Sequence, residues 1–98
     1  MKVVILDLNN KKMSYNIKLS DIDKIIFIGN ISSGIVFEDF KYIVESGVKY
    51  SVVFANSYSK YQLISQITNK DDKFIVYTNN KGAYYGCERY GNVKILEV

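Results

Sequence analysis

The sequence predicts a small single domain, residues 1–98, that is mainly β: eight or nine short, mostly antiparallel strands with at most one or two short helices. Hydrophobic residues make up 48% of the chain, which suffices for a core without metals or disulfides. Nine tyrosines, five phenylalanines and many isoleucines and valines favour strands. Short apolar runs are separated by polar turn sequences about every 8–12 residues, a spacing typical of all-β domains.

The first two predicted strands form a hairpin. Residues 2–8 (KVVILDL) are almost continuously apolar, which indicates an interior strand. Residues 13–19 (MSYNIKL) alternate between apolar and polar side chains, as a half-buried strand does. A polar turn at residues 9–12 joins the two, and residues 20–23 are expected to cap one helical turn.

The middle of the chain predicts further strands and one ambiguous segment. The strands are residues 24–29 (KIIFIG), 35–40 (IVFEDF), 42–44 (YIV) and 50–55 (YSVVFA). In residues 56–69, the side chains of Tyr58, Tyr61, Leu63 and Ile64 approach a helical stripe. Tyr61, Leu63 and Ile67 also fit the alternation of a strand, so the pattern leaves helix and strand both open.

The C-terminal quarter predicts a second hairpin followed by a last strand at residues 93–98. Residues 74–77 (FIVY) and 83–87 (AYYGC) are β-prone, and the Asn- and Gly-rich residues 78–82 between them suit a tight turn. Arg89 is the only arginine and comes just after this predicted hairpin. It can reach a phosphate or a guanine edge, although a solvated surface arginine is the more frequent case.

The inventory of reactive side chains argues against an enzyme. The chain has no histidine, so the usual general base and the Ser-His and Cys-His pairs are missing. Its single cysteine, Cys87, can form neither an internal disulfide nor a cysteine-rich zinc site. The carboxylate pairs Asp21 with Asp23 and Asp71 with Asp72 sit in predicted turns, where a solvated role is expected. We therefore expect no catalysis, no cofactor and no metal.

Charge, cysteine content and hydropathy limit the classes of partner and the cellular compartment that the sequence permits. Thirteen Lys and Arg residues against ten Asp and Glu residues give a net charge of +3, which permits a nucleic-acid partner without requiring one. A single cysteine suits a reducing, cytoplasmic setting. The N-terminal apolar run is too short for a signal peptide or a membrane span, so no membrane partner is expected.

Lysine, arginine, tyrosine, serine and asparagine in predicted loops make up the candidate binding surface. Such side chains on a rigid scaffold suit phosphate contacts with a few base contacts. The predicted nucleic-acid contacts are Asn30, Ser32, Ser33, Ser59, Lys60, Lys81, Arg89, Tyr90 and Lys94.

Three stretches of the sequence resemble the LytTR DNA-binding domain, the β-rich domain that ends many bacterial response regulators. They are IKLSDIDKIIFIG (residues 17–29), NISSGIVFEDFKYIV (residues 30–44) and FIVYTNNKGAYYGCERYGNVKIL (residues 74–96). The resemblance implies an elongated all-β fold whose loops enter successive major grooves. Arg89 matches the arginine of the family's last base-contacting loop, and residues 32–34 match its first DNA-reading loop. Ser59 matches the serine of its central element, with Ser57 at the position of the family's histidine.

The first functional hypothesis is therefore a small, stand-alone, LytTR-like regulator of transcription from a phage or another mobile element, bound to double-stranded DNA. Arg89 is expected to read a base, while Lys60, Lys81 and Lys94 neutralise phosphates. Binding by one copy is expected to be weak and to be strengthened by dimerisation or tandem sites.

The alternative hypothesis is a protein-binding inhibitor of a host enzyme, also encoded by a phage or mobile element. Small size, the lack of catalytic groups, many tyrosines and unpaired edge strands suit such a module. The sequence does not name the target protein.

Overall fold

The described part of the chain consists of five strands with helices between the later ones. It comprises residues 1–7, 20–29, 41–54, 60–89 and 91–97 of a computed structural model. The strands are β1 (Lys2–Asp7), β2 (Lys24–Gly29), β3 (Lys49–Phe54), β4 (Lys73–Thr78) and β5 (Val93–Glu97). The helices are α1 (Lys41–Glu45) and α2 (Lys60–Ile67), with two short 3-10 helices at Lys81–Tyr84 and Cys87–Arg89. A helix stands between β2 and β3 and another between β3 and β4, as in the crossovers that connect parallel strands.

All five strands are parallel and form one sheet, in the order β3-β2-β1-β4-β5. β1 lies at the centre, where Ile5 is opposite Ile26 of β2 and Val76 of β4. The chain first adds β2 and β3 on one side of β1 and then returns to add β4 and β5 on the other. This is the doubly wound order, and its switch point lies between β1 and β4.

Each face of the sheet carries its own hydrophobic core. On one face, α2 and the two 3-10 helices pack on the sheet through Ile64, Tyr84 and Cys87, all fully buried. On the other face, α1 packs through the fully buried Ile43. Because both faces are covered, all four residues 3–6 of β1 are buried, as their continuous apolarity indicates.

The predicted fold class is wrong. The prediction was eight or nine mostly antiparallel strands, whereas the described residues form five parallel strands and two α-helices. A near-continuous apolar run is typical of a parallel strand buried on both faces, and the polar turns between such runs begin crossovers rather than hairpins. β1 accordingly pairs in parallel with β2 and β4. The predicted strands at residues 13–19 and 35–40 lie outside the described residues.

One segment predicted as a strand and one segment left open between helix and strand are helical. Residues 42–44, predicted as a strand, belong to α1. The ambiguous residues 56–69 contain α2, so of the two alternatives the helical one is correct. Ile64 of this stripe is fully buried, and Leu63 and Ile67 pack beside it against the same core.

The predicted C-terminal hairpin is also wrong. β4 and β5 are parallel neighbours, with Val76 opposite Ile95, and the chain between them forms the two 3-10 helices. Cys87, which ends the predicted strand at residues 83–87, is buried within a 3-10 helix and not on a strand. Residues 20–23, expected to cap a helical turn, form a turn in which Asp23 bonds to the backbone of Lys2.

The two α-helices are short, with five residues in α1 and eight in α2. A membrane-spanning helix needs about 20 mostly apolar residues. Within the described residues, no helix has the length and apolarity to cross a membrane.

Candidate functional site

The candidate site lies where β1 and β4 end at the carboxyl edge of the sheet. In open α/β sheets, ligands bind in the crevice outside the carboxyl ends of the strands at the point where the strand order reverses. Here that point lies between the last residue of β1, Asp7, and the last residue of β4, Thr78. The following segment, residues 79–89, bonds to Asp7 through the Tyr84 hydroxyl and packs on the face of the sheet that α2 covers.

Asp7 is a buried carboxylate with hydroxyl partners. Its residue is 3% exposed, and its Oδ2 accepts hydrogen bonds from the Tyr84 hydroxyl at 2.6 Å and from Thr78 Oγ1 at 3.2 Å. Burying a carboxylate is costly unless it is hydrogen-bonded, and bonds to an ionised acceptor are stronger than neutral ones. Asp7 therefore joins the end of β1 to β4 and to the first 3-10 helix.

Side chains at the strand ends also fix the backbone that follows β4. Thr78 Oγ1 accepts a bond from the Asn80 N–H at 3.0 Å, and Glu97 Oε2 accepts one from the Lys81 N–H at 3.3 Å. The Ala83 N–H then donates to the Asn80 carbonyl at 3.1 Å. Three strand ends, those of β1, β4 and β5, thus hold residues 80–84 in place.

The two carboxylates at this edge act as anchors for the segment. Asp7 and Glu97 end the strands on either side of β4, and two strand spacings separate their backbones by about 10 Å. Each accepts a hydrogen bond from the segment, through Tyr84 and the Lys81 backbone respectively. The described residues contain no group of three or more His, Cys, Asp or Glu side chains that could hold a metal ion. Because its hydrogen bonds join β1 to Thr78 and Tyr84, we interpret Asp7 as a positioning residue.

An open pocket lies beside these anchors. Its volume is about 330 Å³, and it is lined by Lys81, Gly82, Tyr84, Tyr85, Gly86, Glu88 and Ile95. Tyr84 is 1% exposed and forms the inner wall, whereas its neighbour Tyr85 is 87% exposed. Gly86 has φ of +88°, a left-handed conformation that favours glycine, and it joins the two 3-10 helices just after Tyr85.

The charges around this pocket are exposed. Lys81 Nζ lies 3.7 Å from Glu88 Oε1, and both side chains are more than half exposed, so the ion pair contributes little. Arg89 is exposed too and forms no ion pair with any described carboxylate. Burial raises the pKa of the Cys87 thiol, which keeps it protonated and unreactive at neutral pH.

The structure places two of the predicted contacts on one segment, although only Lys81 lines the pocket. Lys81 begins the first 3-10 helix, and Arg89 ends the second, so both lie on the segment that lines the pocket. Lys94 is exposed on β5, between the core residues Val93 and Ile95, and therefore points to the opposite face of the sheet. Lys60 is the first residue of α2. The remaining predicted contacts lie outside the described residues: Asn30, Ser32, Ser33, Ser59 and Tyr90.

Four residues of the site have no place among the predicted contacts: Asp7, Thr78, Tyr84 and Tyr85. A signal exists for the first two, because each polar residue ends an apolar run, and parallel strands bring such ends to one edge. No sequence pattern shows which of Tyr84 and Tyr85 is buried. The distinction becomes visible only in the structure, where Tyr84 bonds to Asp7.

No family model matches this chain, and comparisons with curated proteins and solved structures find no significant match. The resemblance to the LytTR domain remains a prediction from the sequence, but the elongated all-β fold that it implies is not the observed one. What the fold and site define is a doubly wound α/β domain with an anchored segment at its switch point. Its function is inferred from the side chains of that segment.

Proposed function

We propose that this protein binds nucleic acid at the carboxyl edge of its sheet, through the segment that carries Lys81, Tyr85 and Arg89. The observation that carries the proposal is the exposure of Tyr85, at 87%, on a segment whose backbone is anchored to three strand ends. Its exposure is about twice that of two other exposed tyrosines, Tyr42 at 42% and Tyr50 at 44%.

Tyr85 supplies a stacking surface. A base stacked on an aromatic ring contributes about 1–3 kcal/mol, and every base has a face that can stack. A ring carried by a fixed backbone also loses little conformational freedom when it binds. Tyr84 cannot serve this role because its ring is buried and its hydroxyl is bonded to Asp7.

Lys81 and Arg89 supply the positive charge that a phosphate backbone requires. The ion pair of Lys81 with Glu88 is exposed, and a phosphate can replace the carboxylate at small cost. Arg89 presents a planar guanidinium that suits bidentate phosphate contacts. The net charge of +3 agrees with an anionic partner without demanding one.

The stacking surface favours unpaired bases over a duplex. Bases inside a duplex are already stacked on one another, and an aromatic ring reaches them only in a single strand, a loop or an end. We therefore propose single-stranded nucleic acid as the preferred ligand and duplex DNA as the weaker one. The predicted contacts Asn30, Ser32, Ser33 and Ser59 follow β2 and β3 in the sequence and stay part of this proposal.

The proposal includes a binding role without catalysis and a reducing, cytoplasmic setting. The chain has no histidine, and its one cysteine is buried as a free thiol with a raised pKa. Free, unpaired cysteines are the rule in reducing compartments.

The test is fluorescence anisotropy with labelled oligothymidine and with a duplex of equal length, across a series of salt concentrations. We expect saturable binding at low salt, tighter for the single strand. Tyr85→Ala should weaken oligothymidine binding about 5- to 150-fold, the equivalent of one lost stacking contact. Tyr42→Ala is the matched control, because Tyr42 is an exposed tyrosine on α1, on the other face of the sheet.

Two outcomes contradict the proposal. One is the absence of saturable binding to either oligonucleotide at low salt. The other is an equal loss of affinity in Tyr85→Ala and Tyr42→Ala, because stacking at this site predicts a loss in the first variant alone.

A further inference from the structure

The two faces of the sheet are covered unequally at β4 and β5. On the face that carries α2 and the 3-10 helices, Val76 of β4 and Ile95 of β5 are buried. On the other face, where α1 packs and which we call the α1 face, Ile75 and Leu96 are only partly buried. Among the described residues, neither of these two belongs to a hydrophobic core cluster. Strands of a parallel sheet are normally covered on both faces, so the described part of the chain leaves these two strands partly open on the α1 face.

Three lysines lie on the same face as this open area. Side chains two positions apart on a strand share a face, so Lys73 lies with Ile75 on β4. By the same alternation, Lys94 lies with Leu96 on β5, and Lys2 is on the α1 face of β1. Lys2 is directly opposite Lys73, and Lys94 is directly opposite Ile75. These five side chains therefore form one continuous surface, which we call the β4–β5 surface.

No described carboxylate neutralises the positive charge of the β4–β5 surface. None of its three ammonium groups takes part in an ion pair among the described residues. Two carboxylates at the amino edge of the sheet, where the strands begin, have other partners. Asp23 accepts a hydrogen bond from the Lys2 backbone N–H at 2.8 Å, and Asp72 accepts one from the Met1 ammonium at 2.6 Å. Like charges directly opposite each other, as Lys2 and Lys73 are, destabilise a sheet, and an anionic partner would relieve their repulsion.

The dimensions of the β4–β5 surface fit one α-helix. Neighbouring strands lie about 4.8 Å apart, so two strands with their side chains present a strip about 10 Å wide, close to the diameter of a helix. The strands have six and five residues, which give the strip a length of about 17–20 Å, or three to four helical turns. Helices are also the elements that normally cover the faces of a parallel sheet.

We propose that the β4–β5 surface binds an acidic amphipathic helix of a partner protein. The apolar stripe of that helix packs on Ile75 and Leu96, and its carboxylates lie against Lys2, Lys73 and Lys94. Charge and apolar area on one face are the two features that select this partner. The proposal is independent of nucleic-acid binding at the carboxyl edge.

Two other occupants suit the β4–β5 surface less well. A second copy of this chain, joined by a two-fold axis, would place the same three lysines against each other, because such an interface joins a surface to itself. A phosphate backbone would neutralise the lysines but offers no aliphatic side chain to Ile75 and Leu96. Both occupants are outcomes that the experiment below distinguishes.

The test uses three fluorescein-labelled peptides of about 18 residues, a length that supports a helix in water. The first carries a leucine stripe on a background of Ala and Glu. The second has Lys in place of every Glu, and the third has Gln in place of every Leu. Anisotropy titrations with the full chain should show saturable binding of the first peptide. The other two should bind at least about tenfold more weakly, because each lacks one of the two features that the surface recognises.

Charge reversal makes the test specific to this face. In the double variant Lys73→Glu with Lys94→Glu, the preference should reverse, so that the Lys-Leu peptide binds more tightly than the Glu-Leu peptide. The matched control is Lys24→Glu with Lys49→Glu, because these lysines are directly opposite each other on the face of Ile26, which α2 covers. The control changes the net charge equally and should keep the original preference. Circular dichroism with urea titration checks that both variants fold.

A further variant tests the apolar part of the surface. Leu96→Ser should weaken binding of the Glu-Leu peptide at least about fivefold, because the helix loses part of its apolar contact. Tyr85→Ala, at the carboxyl edge, should leave peptide binding unchanged, which separates this surface from the proposed nucleic-acid site.

Four results overturn the inference. The first is that the Glu-Leu peptide binds no more tightly than the other two peptides. The second is that the folded Lys73 and Lys94 variant keeps its preference for the acidic peptide, or that the control variant loses it equally. The third is that oligothymidine binding falls in the Lys73 and Lys94 variant as much as peptide binding does, which would assign the surface to nucleic acid. The fourth is a dimer in sedimentation equilibrium that Leu96→Ser dissociates, which would assign it to a second copy.

Discussion

Tyr84 donates a hydrogen bond from its hydroxyl to Asp7, 77 positions earlier in the chain, across 2.6 Å in a buried setting. Among the hydrogen bonds described at this edge of the sheet, it joins the two residues that lie farthest apart in the sequence. It connects the end of the central strand to the segment that carries Lys81, Tyr85 and Arg89. The position of the proposed binding surface thus depends on a contact that none of its exposed residues makes.

Removing this hydroxyl should destabilise the fold. Tyr84→Phe keeps the buried ring but leaves Asp7 with one donor fewer, and we expect a loss of about 1–3 kcal/mol in the free energy of unfolding. Urea titration followed by circular dichroism measures it. Tyr85→Phe is the matched control, and because that side chain is exposed its effect should stay within about 0.5 kcal/mol. Equal stability of the two variants would show that the Tyr84 hydroxyl does not support Asp7.

The same pair of tyrosines shows what the sequence can and cannot predict. The apolar runs locate all five described strands to within one or two residues, because buried β-structure requires continuous apolarity whatever the direction of its neighbours. Whether neighbouring strands are parallel or antiparallel depends instead on the segments that connect them. Tyr84 and Tyr85 look like two successive positions of a strand, yet they belong to a 3-10 helix and a turn.

The candidate site is predictable only in part for a related reason. Lys81 and Arg89 stand out because they are cations beside tyrosines and glycines, and the structure places both on the segment that follows β4. Asp7 looks like an interruption of an apolar strand until the strands are known to be parallel. Its significance arises from Thr78 and Tyr84, which the fold brings to it from more than 70 positions away.

A second prediction separates positioning from charge at Asp7. Asp7→Asn keeps an oxygen that can accept from Tyr84 and Thr78 but removes the negative charge, so oligothymidine affinity should stay within about threefold of the original. Asp7→Ala removes the acceptor from two hydroxyl groups and should cost about 1–3 kcal/mol of stability for each buried group left unpaired. Anisotropy and urea titration measure the two effects. Abolition of binding in a stable Asp7→Asn protein would assign the carboxylate a direct role at the ligand.

A third prediction concerns pH and the amino edge. The hydrogen bond between the Met1 ammonium and Asp72 raises the pKa of the amine and lowers the pKa of the carboxyl, which also accepts a bond from Asn69. The stability contributed by Asp72 is present above the carboxyl's unfolded pKa and is lost as pH falls through the folded pKa. That contributed by the amine is present below its unfolded pKa and is lost as pH rises through the folded pKa.

The Met1–Asp72 pair should therefore stabilise the protein most at pH values between the pKa of the Asp72 carboxyl and the pKa of the Met1 amine. Asp72→Asn should lower stability at neutral pH and flatten both the acidic and the alkaline limb of a stability profile. Both groups lie at the protein surface, so the effect should shrink at high salt. Unfolding midpoints across a pH series measure it, with Asp71→Asn as the neighbouring control. A profile of Asp72→Asn parallel to that of the unchanged protein would show that the contact is not formed in solution.

The fourth prediction counts the phosphates at the carboxyl edge. The slope of log affinity against log salt reflects the counterions that the protein releases, about 0.7 for each phosphate contacted on a single strand. Lys81→Ala and Arg89→Ala should each lower the magnitude of this slope by about one contact, equally for all oligonucleotide sequences. Lys70→Ala, an exposed lysine on the turn before β4, should leave the slope unchanged. If Arg89→Ala instead weakens binding to guanine-containing strands alone, Arg89 reads a base edge, as the sequence first suggested. If all three variants lower the slope alike, the ligand follows the overall charge of the protein and not the segment that Asp7 and Glu97 hold in place.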